Sequence, residues 1–408
     1  MHSILYIFLA GFFMNAPTQS QLARDLFDSY DTYKAAGITS RRFTQAELYR
    51  WLAPIKDKKV FEQSTVGSSA EGRSISLLTV GTGPTKVFLW SQMHGDEATA
   101  TMALVDMLNF FAMNPSHVVT TTIREKLTIL ILPMINPDGA ERFQRRTSQL
   151  IDMNRDALSL VTPEARILKE TRDRYQPEFG FNLHDQEPRY TVGSTKEVTA
   201  IALLAPATDE SRVDNPVRLR AKHVASVVAG IMNQFISGHV SKYDDTFEPR
   251  AFGDNIQRWG TSTVLIESGG WPNDRDKMFL RKLNCVALLT TLVSIADRSY
   301  EQSDISVYEG IPFNTKYRYD LIVRNAKLKS SSAASAVSVD VGINFEEERS
   351  LDGRVSLVGK IVDIGDLRIY GSFEEIDAHG ALLDASKIGM EKSISAEEAR
   401  ALGKQRQE

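Results

Sequence analysis

A single cysteine, Cys285, stands in the 408 residues, so the chain has no intramolecular disulfide framework and no thiolate-rich zinc site. It lies in the apolar run 285–289 and reads as a small buried hydrophobe rather than a nucleophile. Long basic runs are missing as well. With a net charge of −4, nothing forms an electrostatic footprint for nucleic acid, and that class of partner is set aside. No later run is read as apolar and long enough to cross a bilayer, which takes about 20 residues, so no stable membrane span is expected. The apolar run at residues 4–14 is too short to span and lacks Lys or Arg ahead of it, carrying only His2. Its length still fits a signal-peptide core, and the polar stretch 15–20 follows it. A signal peptide over 1–20 and a secreted or periplasmic location are therefore expected.

What is present is globular. Apolar residues make up 42% and charged residues 25% of the chain, which argues against wholesale disorder. The length exceeds one typical domain, so two folding units are expected. Strand-like runs at 74–80, 87–90, 127–132, 179–183, 198–204 and 263–266 alternate with helical patterns at 98–111, 163–174, 216–235 and 274–296. Continuous apolar strands separated by helices indicate a sheet covered on both faces, the α/β class. In such sheets the site gathers at the carboxyl ends of the strands. Beyond residue 300 the pattern becomes strand-rich and helix-poor, with a Ser/Ala-rich loop at 329–335. The expected organisation is a catalytic domain at 21–300, a small all-β domain at 301–385, sandwich-like or barrel-like, and a charged tail at 386–408.

The chemistry-bearing residues cluster at strand ends. The run 87–90 leads into Ser91-Gln92-Met93-His94-Gly95-Asp96-Glu97, with a helix directly after. A His and a Glu three apart at the mouth of a strand can aim at one point, and Gly95 permits the tight reversal between them. Alone the pair is weak, because an acidic residue also suits a helix start. His184 ends another strand and adds a third ligand. Two histidines and a glutamate with one position open to water form a catalytic zinc set. His117, His223, His239 and His379 lack such a setting. Glu267 ends the strand 263–266 and precedes Ser268-Gly269-Gly270, which puts a carboxylate at another strand tip.

Between these elements lie Asn136-Pro137-Asp138-Gly139 and Asp152-Met153-Asn154-Arg155. With His94, Glu97, His184 and Glu267 in this order, residues 45–295 resemble the zinc carboxypeptidase family, the clan of carboxypeptidase A. The resemblance implies a mixed central sheet with helices on both faces and one Zn2+ on His94, Glu97 and His184. It implies Glu267 as general base, Arg145 as the residue that stabilises the oxyanion, and Asn154 with Arg155 as the clamp on a substrate's terminal carboxylate. Arg146 is adjacent, so a slip of one residue stays open. The family's substrate-capping tyrosine has no clean counterpart, since Tyr243 is the lone tyrosine of its region and out of register. Asp254 and Arg258 are candidates for a specificity pocket.

The resemblance thus implies zinc-dependent hydrolysis of a C-terminal peptide bond in a peptide or peptide-like substrate with a free carboxylate. One alternative is a zinc amidase or deacylase acting on murein peptide or another carboxylate-bearing amide. Another is a catalytically inactive peptide-binding module of the same fold.

Overall fold

The computed structural model describes residues 18–329, 335–349, 355–383 and 393–402. The apolar run 4–14 lies outside the described residues. The chain enters through α1 (Gln19–Asp28), α2 (Tyr30–Tyr33) and α3 (Gln45–Asp57). Thr18 caps α1 by accepting the Gln21 N–H, and Thr44 with Glu47 forms a capping box on α3. The α/β body follows in the order β1 (Glu62–Ser68), β2 (Ser74–Val80), β3 (Thr85–Ser91), α4 (Thr99–Met113), α5 (Val118–Lys126), β4 (Leu127–Leu132), α6 (Pro137–Arg142), α7 (Pro163–Tyr175) and β5 (Phe179–Asp185). It continues with β6 (Thr191–Val192), β7 (Ile201–Leu204), α8 (Pro216–Met232), β8 (Val240–Lys242), α9 (Phe252–Arg258), β9 (Ser262–Ser268), α10 (Met278–Ala296) and α11 (Ser306–Glu309).

The central sheet has eight strands in the order β1-β2-β4-β3-β5-β9-β7-β8. β4, β3, β5 and β9 run parallel, whereas β2 meets β4 and β7 meets β9 antiparallel. The sheet is therefore mixed. Its strands alternate between two cores because successive side chains leave opposite faces. Val87 and Leu89 of β3 pack with α1, α4, α8 and α10, while Phe88 and Trp90 pack with α7 and α9. Burial on both faces explains why these strands read as unbroken apolar runs.

One expectation needs correction. α10 is long and apolar enough to cross a membrane by length and composition. Its apolar residues lie instead in the core beside α4 and α8, and the two buried helices account for that composition. A buried ion pair ties α10 to the entry helices. Asp106 of α4, fully buried, accepts from Arg281 Nε (2.7 Å) and Nη2 (2.6 Å), from Tyr30 Oη (2.5 Å) and from the Ala35 N–H (2.8 Å).

After α11 come β10 (Asn314–Thr315), which pairs with β6, β11 (Arg318–Leu328), β12 (Val337–Arg349), β13 (Val355–Gly365), β14 (Gly371–Asp377), β15 (Leu382–Leu383), β16 (Ser393–Ser395) and α12 (Ala396–Ala401). Among the described residues the C-terminal unit is a six-stranded sheet along β14-β11-β12-β13-β16, with β15 beside β11. Residues 301–313 pack on the α/β body: Lys222 of α8 pairs with Glu309 at 2.8 Å, and the Tyr308 hydroxyl receives the Ala205 N–H. β10 also pairs with β6 of that body, so the first strand of the C-terminal sheet is β11. The described part of the expected charged tail belongs to the β unit, since β16 pairs with β13 and Ala399 and Leu402 are buried on Leu321, Val323, Val341 and Ile361. Among the described residues this is one sheet rather than a sandwich, because its apolar face is covered by α12 and the 378–383 segment.

Replacing Asp106 with Ala strands Arg281 as a buried unpaired charge, and a loss of about 3–5 kcal/mol is expected. Denaturant unfolding checks this; the double variant Asp106→Leu with Arg281→Met should lose less. A single variant as stable as wild type would refute the role.

Candidate metal centre

Just past β3 the backbone turns at Gln92, whose φ is 47°, and residues 93–97 lead into α4. Gly95 is required here, because a Cβ on it would sit 2.1 Å from the backbone carbonyl carbon of Gly139. Gly139 lies in α6. Asn136 caps that helix by accepting the Gly139 N–H (2.9 Å) and donates from Nδ2 to the Met93 carbonyl (3.2 Å). The Asn-Pro-Asp-Gly segment is thus the buttress against which the His-x-x-Glu turn is built. Asp138 anchors the buttress, fully buried, accepting from Ser69 Oγ (2.6 Å), Arg73 Nη1 (2.7 Å) and the Glu71 N–H (3.0 Å).

The turn brings His94 Nδ1 to 2.7 Å from Glu97 Oε1. His184, on β5, places its Nδ1 2.6 Å from Glu97 Oε2. One ligand atom from each of the three residues lies within 4.8 Å of the others, and all three residues are buried. The parallel register pairs His184 directly with Glu267 on β9, so ligand and candidate base are side-by-side neighbours on adjacent strands. Glu267 Oε2, His184 Nε2, Asp96 Oδ1 and Asp185 Oδ1 are all buried without a hydrogen-bond partner.

Electrostatics supports a cation at this point. Burial, reinforced by the Glu97 charge, pushes the Glu267 carboxyl well above the usual range. For Glu97, burial alone would do the same, but His94 and His184 outweigh it and hold that carboxyl well below its ordinary value. Two buried carboxylates in one pocket need a compensating positive charge. Two imidazole nitrogens and one carboxylate oxygen, gathered within 4.8 Å of one another, fit zinc.

A layer of partners orients these ligands. Asp152 Oδ1 lies 3.0 Å from His94 Nε2, which leaves Nδ1 as the metal-facing nitrogen. Burial would raise the Asp152 carboxyl, but His94 and Arg145 outweigh it and lower it. Arg145 Nε sits 3.1 Å from Asp152 Oδ2 and Nη1 sits 3.0 Å from Glu97 Oε1, with 44% of the side chain exposed and so accessible to an incoming group. Arg146 turns away, donating to the Leu150 carbonyl, so Arg145 is the arginine at the site.

Asn154 Oδ1 receives the Phe252 N–H at the start of α9 (2.8 Å), leaving its NH2 end as the donor. Arg155 is exposed, donates to the Asn154 carbonyl (2.7 Å) and lies 3.4 Å from Glu248. Asp254 of α9 is buried, and that burial pushes its carboxyl up to about 7. Arg258 is exposed, so Asp254 and Arg258 do not share a buried pocket. Tyr243, set aside as out of register, is half-buried, and its phenol is raised by burial and by the charges of Glu267 and Glu97. Asn182 was missed altogether. It lies on β5 two residues before His184, buried, with neither amide atom hydrogen-bonded, and a Cβ on Gly253 would come within 2.9 Å of its Nδ2. The signal was available in the chain: an amide set between Phe181 and Leu183 inside a strand. Of the other histidines, His117 caps α5, His223 bonds Ser303 and His239 bonds the Val198 carbonyl, while His379 is exposed.

Residues 48–188 match the family described as zinc carboxypeptidase. Among individual proteins, the chain is 30% identical over 224 residues to a probable carboxypeptidase 2 of Arthroderma benhamiae, covering 54% of this chain and 40% of that protein. It is 25% identical over 224 residues to carboxypeptidase 2 of Trichophyton rubrum, covering 54% and 39%. The chain thus spans about two fifths of the length of these relatives. A metallo-carboxypeptidase structure from Burkholderia cenocepacia shares the fold with a TM-score of 0.50 at 16% identity, over 63% of this chain and 70% of that one. Bovine thrombin-activatable fibrinolysis inhibitor, solved in complex with tick carboxypeptidase inhibitor, gives a TM-score of 0.50 at 12% identity, over 63% and 98%.

Two measurements test this geometry. Asp152→Asn should weaken zinc affinity by roughly 10–100-fold, read by competition with a chelator; unchanged affinity would remove Asp152 from the ligand-orienting role. Asp254 binds its proton more tightly folded than unfolded, so it favours folding below about pH 4 and loses that advantage as pH rises towards about 7. Asp254→Asn is therefore expected to exceed wild-type stability by roughly 2–4 kcal/mol at pH 8, with the gap closing towards pH 4. Calorimetry at both pH values decides it, and no gain at pH 8 counts against the assignment.

Proposed function

We propose that this chain, whose residues 48–188 match the zinc carboxypeptidase family, hydrolyses the C-terminal bond of a peptide or peptide-like substrate bearing a free carboxylate. The observation that carries the reading is the arrangement of side chains around the ligand trio. Glu267 adjoins His184, Arg145 contacts Glu97, and Asn154 with Arg155 stands where β-sheet loops meet α9.

His94, Glu97 and His184 would hold the zinc, which when bound would supply a Lewis acid and lower the pKa of a bound water to about 7. The protein's own groups do the rest. Glu267, buried and with one oxygen unpartnered, accepts the proton of the attacking water and passes it to the departing amine. Arg145, held on Asp152 yet partly exposed, donates to the carbonyl oxygen as negative charge develops there. Arg155 offers a planar two-pronged donor for the terminal carboxylate, and the Asn154 amide assists. Glu248 is the counter-ion that Arg155 shares before a substrate arrives. Export forms part of the same proposal and rests on the apolar run of residues 4–14.

A peptide with a free C-terminus should be cleaved at least about 100-fold faster, in kcat/KM, than its C-terminal amide twin, as expected for losing a charge-assisted bidentate contact. Equal rates would sink the exopeptidase reading. Glu267→Gln should lower kcat by about 10²–10⁴-fold with KM little changed, and full activity would remove Glu267 from the mechanism.

A further inference from the structure

A cleft of about 1160 Å³ opens beside the ligand trio, larger than the roughly 300–1,000 Å³ that a small-ligand pocket needs. One wall belongs to the α/β body, where Glu97, Arg145, Asp185 and Trp271 line it. The opposite wall belongs to the C-terminal β unit, through Phe345, Glu347, Leu357 and Phe373. Asn154, Arg155 and Asp254 are not among the residues lining it. The cleft therefore approaches the ligands from the Arg145 side, away from the carboxylate clamp.

The β wall is pinned in place. Glu347 of β12 takes the Arg42 guanidinium, with Arg275 at 3.5 Å and Arg41 at 3.7 Å on the same carboxylate. Arg189 Nη1 bonds Asp320 of β11 at 2.7 Å and also reaches the Phe345 carbonyl. Phe345 is half-buried, with the Arg400 guanidinium 5.2 Å above its ring, and Phe373 and Leu357 are half-buried on the same wall. Ring faces and aliphatic edges fixed by ion pairs make a surface that can receive peptide side chains and backbone without reorganising.

We propose that the C-terminal β unit is the upstream wall of the peptide cleft and binds the substrate residues that precede the scissile bond. The proposal rests on the carboxypeptidase reading above. With the terminal carboxylate at Arg155 and the scissile carbonyl at Arg145, the remainder of the peptide runs past Arg145 into the space between the two walls. The occupant is an extended peptide segment, and the continuity of the cleft with Glu97 and Arg145 is the reason for choosing it.

The test is a ladder of N-acylated peptides of two to six residues with one shared C-terminal pair, assayed with the zinc-loaded full chain. Wild type should gain about tenfold or more in kcat/KM between two and five residues, mostly through KM. Phe345→Ala should flatten the ladder while leaving the two-residue substrate unchanged. Glu347→Gln, which loosens the pin without emptying the wall, is the second variant and should flatten it partly. A wild-type ladder that is flat or falls with length overturns the proposal, as do variants that keep the wild-type slope or lose activity equally at every length. If no member of the ladder is cleaved by the wild type, the carboxypeptidase reading itself fails, and that result is distinct from a flat ladder.

Discussion

Two carboxylates, Glu97 and Glu267, are buried in one pocket at the carboxyl edge of the parallel strands, and most of the surrounding structure manages that charge. Two imidazole nitrogens face the oxygens of Glu97 at 2.7 and 2.6 Å, and Arg145 adds a guanidinium. Burying an ionised group is costly unless it is paired or ligates a metal. The approach of His94 Nδ1 and His184 Nδ1 to the two oxygens of one buried carboxylate therefore marks an arrangement that a cation would complete. The fold supplies the rigidity this needs. β5 and β9 are locked in register, so His184 and Glu267 cannot drift apart without breaking the ladder between them.

The same constraint explains the backbone features nearby. Gly95 and Gly139 exist to let two turns touch, since a side chain at Gly95 would collide with the backbone of Gly139. Asn136 joins them by capping α6 and bonding Met93, and Asp138 ties α6 to the 69–73 segment. Asp152 then fixes the His94 ring from behind while gripping Arg145. One carboxylate thereby sets both the metal-facing nitrogen and the position of the arginine beside it.

Much of the catalytic body could be read before any coordinates. β2 and β4 coincide with their apolar runs, and α7 begins at the expected Pro163, because burial on both faces and a proline at the first helical position are local signals. β1 and β8 escaped notice. β1 is half-exposed with mixed polarity, and β8 is only three residues long. The apolar run of α10 carried no mark distinguishing a core helix from a span, because hydropathy records composition and not neighbours. Tyr243 looked out of register because spacing along the chain is a poor guide where a loop of variable length intervenes.

The motifs alone determined the ligand types and their order: His94 and Glu97 three apart, a strand-end His184 and a strand-end Glu267, each a consequence of local geometry at sheet edges. Tertiary structure decided which groups those residues meet. It chose Arg145 over Arg146 and turned Asn136 and Gly139 from a motif into a buttress. It also set the β unit against the cleft through Arg42, Arg189, Asp320 and Glu347, pairings separated by more than a hundred residues. Side-chain spacing within a few residues is dictated by helix and strand periodicity, whereas contacts across such distances depend on how the whole chain packs.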